Sequence, residues 1–126
     1  MQILNLTRNN IISGEAKAAK SFFSRLRGLM FSKPADLVLV SPKERIDHSS
    51  IHMMFMRFPI DVLWLDAGMK VVDVALNVPP FQLFKPATWR IYRPVKDAKY
   101  VVEIAVKQLP PVEKGDLIEF KPPIYY

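Results

Sequence analysis

Eleven prolines punctuate this chain of 126 residues and cut its apolar residues into runs of strand length. Proline fixes φ and lacks an N–H donor, so it is excluded from helix interiors and from the middle of central strands. The runs between the breaks are Asp36–Val40, closed by Pro42, then Ile51–Phe55, Ile60–Leu65, Lys70–Leu76, Tyr100–Val106 and Leu117–Phe120, ended by Pro122 and Pro123. Asp66-Ala67-Gly68 separates two of them and reads as a hairpin turn. Tyr100, Val102, Ile104 and Val106 alternate, which predicts one shared face of a strand. At the N-terminus, Gln2–Thr7 and Asn10–Ser13 predict two further strands. Asn9-Asn10 joins them, because asparagine tolerates the left-handed backbone that turns require. Residues 77–97 hold Pro79, Pro80, Pro86 and Pro94 and predict a long, partly extended loop.

One stretch has a different period. Ser13 suits a cap, Glu15 suits the positive end of a helix dipole, and Ala16, Ala18 and Ala19 favour helix. Phe22, Leu26 and Leu29 then fall at i, i+4 and i+7, and Gly28 and Pro34 close the pattern. The expected fold is therefore mainly β: a small antiparallel sandwich or barrel-like domain with one short helix near residues 15–29. The alternative is an α+β domain with that helix on one sheet. A doubly wound fold needs helices between its strands, and the pattern offers none.

The length suits a single domain over 1–126. With no cysteine, disulfides and thiolate-ligated metals are excluded, and a cytoplasmic setting is expected. No basic start leads into an apolar export stretch, and no apolar run approaches the roughly 20 residues that span a bilayer, so no membrane association is expected. The net charge of +6 is uneven. Arg8, Lys17, Lys20, Arg25, Arg27 and Lys33 face only Glu15 within residues 1–33, and residues 85–99 are also basic. Such a field draws anions but serves solubility equally well.

The familiar chemical signatures are absent. There is no phosphate loop, dinucleotide fingerprint, nucleophile elbow, zincin helix or calcium loop, and four glycines are too few for a phosphate cradle. No cofactor and no metal is expected. His48 and His52 stand four apart, but their segment is not convincingly helical and a third ligand is missing. A nucleophilic triad drawn from Ser49 or Ser50 with His52 and Asp61 rests on sequence proximity alone.

Residues 50–62 are the densest segment. Their methionines and phenylalanines form a soft apolar group, with Met54 and Met56 as candidate pocket lining against the plainer reading of core. Asp61 and Glu103 interrupt apolar strand sequence and need partners if buried, for which Arg25, Arg27 and Arg57 are the candidates. Arg25, His52, Asp61 and Glu103 make up the candidate polar site.

Three patches carry a resemblance: Arg25-Leu26-Arg27-Gly28-Leu29-Met30; the run from Ile51 to Asp66, which contains His52, Met56 and Pro59-Ile60-Asp61-Val62; and Ala98 to Ile104 followed by Gly115-Asp116. Together they resemble domain of unknown function 192, an uncharacterised group of prokaryotic proteins, across roughly residues 20 to 120. One departure is local: after Glu103 the family shows a small residue and glycine, whereas Ile104-Ala105-Val106 continues apolar here. The resemblance implies a mainly β, sandwich-like domain and no established activity. Three functions follow as expectations. The first is a binding module for a small anionic or apolar ligand or a protein partner, with Arg25, His52 and Asp61 at a pocket mouth. The second is an enzyme with His52 and Asp61 as an acid/base pair. The third, ranked last, is a nucleic-acid binder using the basic N-terminal third.

Overall fold

The computed structural model describes residues 1–19, 34–41, 44–45, 51–52, 58–80, 85–86 and 91–124. Among the described residues ten strands follow in chain order: β1 (Gln2–Asn5), β2 (Asn10–Ser13), β3 (Ala16–Ala19), β4 (Asp36–Val40), β5 (Ile51–His52), β6 (Ile60–Leu65), β7 (Val71–Val78), β8 (Ile91–Tyr92), β9 (Tyr100–Ile104) and β10 (Ile118–Lys121). They form a three-stranded sheet ordered β10-β1-β2, a five-stranded sheet ordered β3-β4-β9-β6-β7, and a β5-β8 ribbon.

The fold is mainly β, as the punctuation implies. β4, β6 and the hairpin into β7 lie where the apolar runs place them. The hairpin closes through Asp66, whose carboxylate accepts the Lys70 amide at 3.0 Å, while Met69 adopts φ 69°. Two details differ from expectation. Val106 lies beyond the end of β9 and is 57% exposed, so of the four only Tyr100, Val102 and Ile104 share one buried face. Residues 77–97 are not simply a loop, because β7 runs on to Val78 and β8 falls inside the stretch.

The expected helix near residues 15–29 is corrected at its start. Ala16–Ala19 is strand β3, paired parallel with β4 in the register Ala16↔Asp36 to Ala19↔Leu39. This parallel pair also makes the larger sheet mixed rather than purely antiparallel. Helix propensity in alanine amounts to tenths of a kcal/mol per residue and yields to a full ladder of backbone hydrogen bonds. Ser13 does not cap a helix. It lies in β2, and its hydroxyl donates to the buried Asp36 carboxylate at 2.5 Å. Ala16 and Ala19, three apart, pack into different apolar clusters on the two faces of the sheet, as strand alternation requires. The remainder of the expected helix lies outside the described residues.

The inner strands β6 and β9 of the five-stranded sheet are covered on both faces, which is why Ile60–Leu65 and Tyr100–Ile104 read as nearly continuous apolar runs. One face meets the three-stranded sheet: Val38, Leu63, Val102 and Ile104 pack with Ile3, Ile12, Ile118 and Phe120. Tyr100 and Phe120 close this layer edge to face, with centroids 5.3 Å apart and planes at 84°. The opposite face gathers Leu37, Ile60, Val62, Trp64 and Val101, with Tyr92 of the ribbon.

Candidate functional site

Asp61 enters the site from the first turn of the pleat in β6. Its register partner is Ile104, while Val62 pairs with Glu103. Residues directly opposite share a face of a sheet. Ile104 belongs to the core between the two sheets, and Val62 and Leu37, the two partners of Glu103, belong to the opposite cluster. Asp61 and Glu103 therefore face opposite sides of one sheet.

Asp61 is an anchor for two backbone segments. One carboxylate oxygen accepts the Asn77 amide at 2.7 Å and the other accepts the Leu109 amide at 3.1 Å. Asn77 lies at φ 50°, beside a register shift in the β6–β7 ladder. The shift admits an extra residue into β7, which turns the Asn77 amide toward the carboxylate. The segment following β9 is held from its other side by Asp36, whose second oxygen accepts the Ala105 and Val106 amides at 2.9 and 3.1 Å. The apolar residues that depart from the family pattern there are thus turned by a buried carboxylate rather than by a glycine.

Asp61 and the segment that Asp36 holds border a cleft of about 500 Å³. Its lining includes Asp61, Leu76, Asn77, Val106, Lys107 and Gln108. Leu76 and Val106, which both border it, are 65% and 57% exposed. Among the described residues, neither Asp61 nor Lys107 forms an ion pair.

Glu103 occupies a different environment. It is 5% exposed, and burial pushes its carboxyl up to about 7 from the ordinary 4.5. His52 lies in β5 with Ile91 as its register partner. Arg25, Met54, Met56, Ser49 and Ser50 lie outside the described residues. Among the described residues no three histidine, aspartate or glutamate side chains gather as metal ligands, and no helix is long and apolar enough to cross a membrane.

A further polar cluster joins the chain ends. Asp116 accepts from Asn5 Nδ2 at 2.9 Å, from Arg8 Nε at 2.7 Å and from the Glu113 amide at 3.0 Å. Burial acts to raise the Asp116 carboxyl. The hydrogen bonds from Asn5, Glu113 and Arg8, together with the Arg8 charge, outweigh it and hold the carboxyl below its usual range. Arg8 also meets Glu113 at 2.9 Å, so one cation of the basic N-terminal third serves the fold. The only sequence signal for this cluster is the turn Lys114-Gly115-Asp116, where Gly115 takes φ 92°. Asp36 has no local signal, because its partners are distant in sequence.

Residues 4–120 match the family DUF192, described as an uncharacterised ACR. UPF0127 protein TK1120 of Thermococcus kodakarensis is 41% identical over 125 residues, which is 95% of this chain and 73% of that protein. UPF0127 protein PF1050 of Pyrococcus furiosus is 37% identical over 121 residues, covering 94% of this chain and 97% of that protein. Among solved structures, a protein of unknown function from Novosphingobium aromaticivorans superposes with a TM-score of 0.71 at 14% identity, over 94% of this chain and 82% of that one. A protein from Sinorhizobium meliloti, provisionally described as a transcription regulator, superposes at 0.73 with 16% identity over 94% and 89%. At such identities the likeness is one of fold. The match across nearly the whole chain and the close relatives agree with the three resembling patches, and the chain belongs to the uncharacterised DUF192 family.

Proposed function

We propose that this chain acts as a single cytoplasmic binding domain, and that its ligand site is the cleft between Asp61, Leu76 and the segment after β9. The observation that carries the reading is the placing of exposed Leu76 and Val106 in one concavity of about 500 Å³ with Asp61 and Lys107, neither of which forms an ion pair among the described residues. Small-molecule sites combine an apolar wall with a few placed polar groups at this size. The ligand is a small molecule with an apolar body and a charged end. Asp61 serves such a site as a fixed acceptor, since one backbone amide holds each of its oxygens in place.

A thermal-shift screen tests this with nucleotides, sugar phosphates, amino acids, organic acids, divalent metals and short RNA. A ligand at 100 times its Kd stabilises by about 2.7 kcal/mol, a shift of several degrees for a domain of this size. We expect a hit that Leu76→Glu abolishes. A hit that survives both Leu76→Glu and Val106→Glu overturns the cleft as the site. A hit with RNA that disappears as salt rises replaces the small-molecule reading with nucleic-acid binding.

A further inference from the structure

We infer that the cleft takes a zwitterion with an aliphatic side chain: a free α-amino acid of the leucine or valine class. This rests on the cleft being the ligand site and adds the chemistry of its occupant.

Two opposite charges line the same cavity without pairing. Asp61 and Lys107 both border it, and among the described residues neither makes an ion pair. Each Asp61 oxygen accepts one backbone amide and so retains acceptor capacity, because a carboxylate oxygen has two lone pairs. The two amides also fix the carboxylate in place, so no rotamer freedom is lost when a cation arrives. Lys107 supplies a compact ammonium with three donors, and Gln108 adds an amide donor on the same segment.

Simple ligands fit this arrangement poorly. A small anion at Lys107 leaves the Asp61 carboxylate without a partner and adds a second negative charge to the cavity, and a small cation at Asp61 does the converse to Lys107. A purely apolar ligand dehydrates both charges with no compensating hydrogen bond, which is costly. A zwitterion meets both demands, its ammonium on Asp61 and its carboxylate on Lys107. The side chain then covers Leu76 and Val106, which are 65% and 57% exposed.

The experiment is a two-dimensional amide NMR titration with three probes of one carbon skeleton: L-leucine, 4-methyl-2-oxopentanoate, which lacks the ammonium, and 3-methylbutylamine, which lacks the carboxylate. We expect L-leucine to move the Asn77 and Leu109 amides saturably and each single-charge analogue to bind at least about tenfold more weakly, the loss of a charge-assisted hydrogen bond. Lys107→Gln, an exposed substitution, should leave the spectrum folded and weaken L-leucine by a similar factor. Asp61→Asn is the second variant, with the dispersion of its spectrum reporting folding. If either analogue matches L-leucine, or Lys107→Gln leaves its affinity unchanged, the zwitterion assignment falls while the cleft stands as a binding site. If L-leucine moves no amide of the cleft, the assignment falls outright, and the ligand screen with Leu76→Glu decides separately whether the cleft binds anything else.

Discussion

Asp61 and Glu103 sit one register step apart on adjacent strands, yet Asp61 faces the core between the two sheets and Glu103 the opposite apolar layer. The pleat separates their environments. One carboxylate has amide donors and an open cleft, and the other is enclosed by Leu37, Val62 and Val101. Their contributions to stability and binding therefore separate cleanly.

Glu103 makes the fold less stable as pH rises. Its carboxyl titrates at about 7 when folded and near 4.5 when unfolded, so the folded chain binds the extra proton between those values. The stabilising proton is fully in place below pH 4.5 and is lost as pH passes 7, a change on the order of 3 kcal/mol. Glu103→Gln should be more stable than wild type at pH 8 and should flatten this limb, as followed by urea denaturation from pH 4.5 to 8. A wild-type limb that stays level across that range contradicts the assignment. Asp116 acts in the other direction. Its depressed carboxyl contributes stability above its unfolded value of 3.8, lost as pH falls through the folded value, so Asp116→Asn should shrink the acid limb.

Asp36 joins three segments through one carboxylate, accepting from Ser13, Ala105 and Val106. Asp36→Ala strands three donors, two of them backbone amides that the turn after β9 depends on. The cost should be about 2–4 kcal/mol, measured as a lowered urea midpoint. A loss under about 1 kcal/mol would mean that water replaces the carboxylate at little cost.

Asn77 at φ 50° provides a backbone test of the cleft. Asn77→Gly should be neutral or slightly stabilising. Asn77→Val should cost at least about 1 kcal/mol, because a β-branched residue resists the left-handed region. Ligand affinity should fall with Asn77→Val more than its stability loss alone explains, since the Asn77 amide positions Asp61. Equal melting temperatures for the two variants would show that the bulge relaxes freely.

How much of this was legible beforehand depended on distance along the chain. Proline and glycine breaks, apolar runs and alternation are local properties, so β4, β6, β7 and β9 and the turn at Asp66 could be read directly from the order of residues. The presence of carboxylates at 61 and 103 in apolar strands could be read in the same way, and so could the family. Tertiary structure alone decided the rest. Ala16–Ala19 is a strand because Asp36–Leu39 lies beside it, and that pairing outweighs a local preference for helix. Asp36 became a junction because its partners, up to 70 residues away, were brought to it by sheet order. Whether Asp61 and Glu103 share a side of the sheet follows from the register between β6 and β9, and a slip of one residue would put both on one face. Local order along a chain dictates which segments can be strands. Only the burial of both sheet faces selects one register, and with it the cleft.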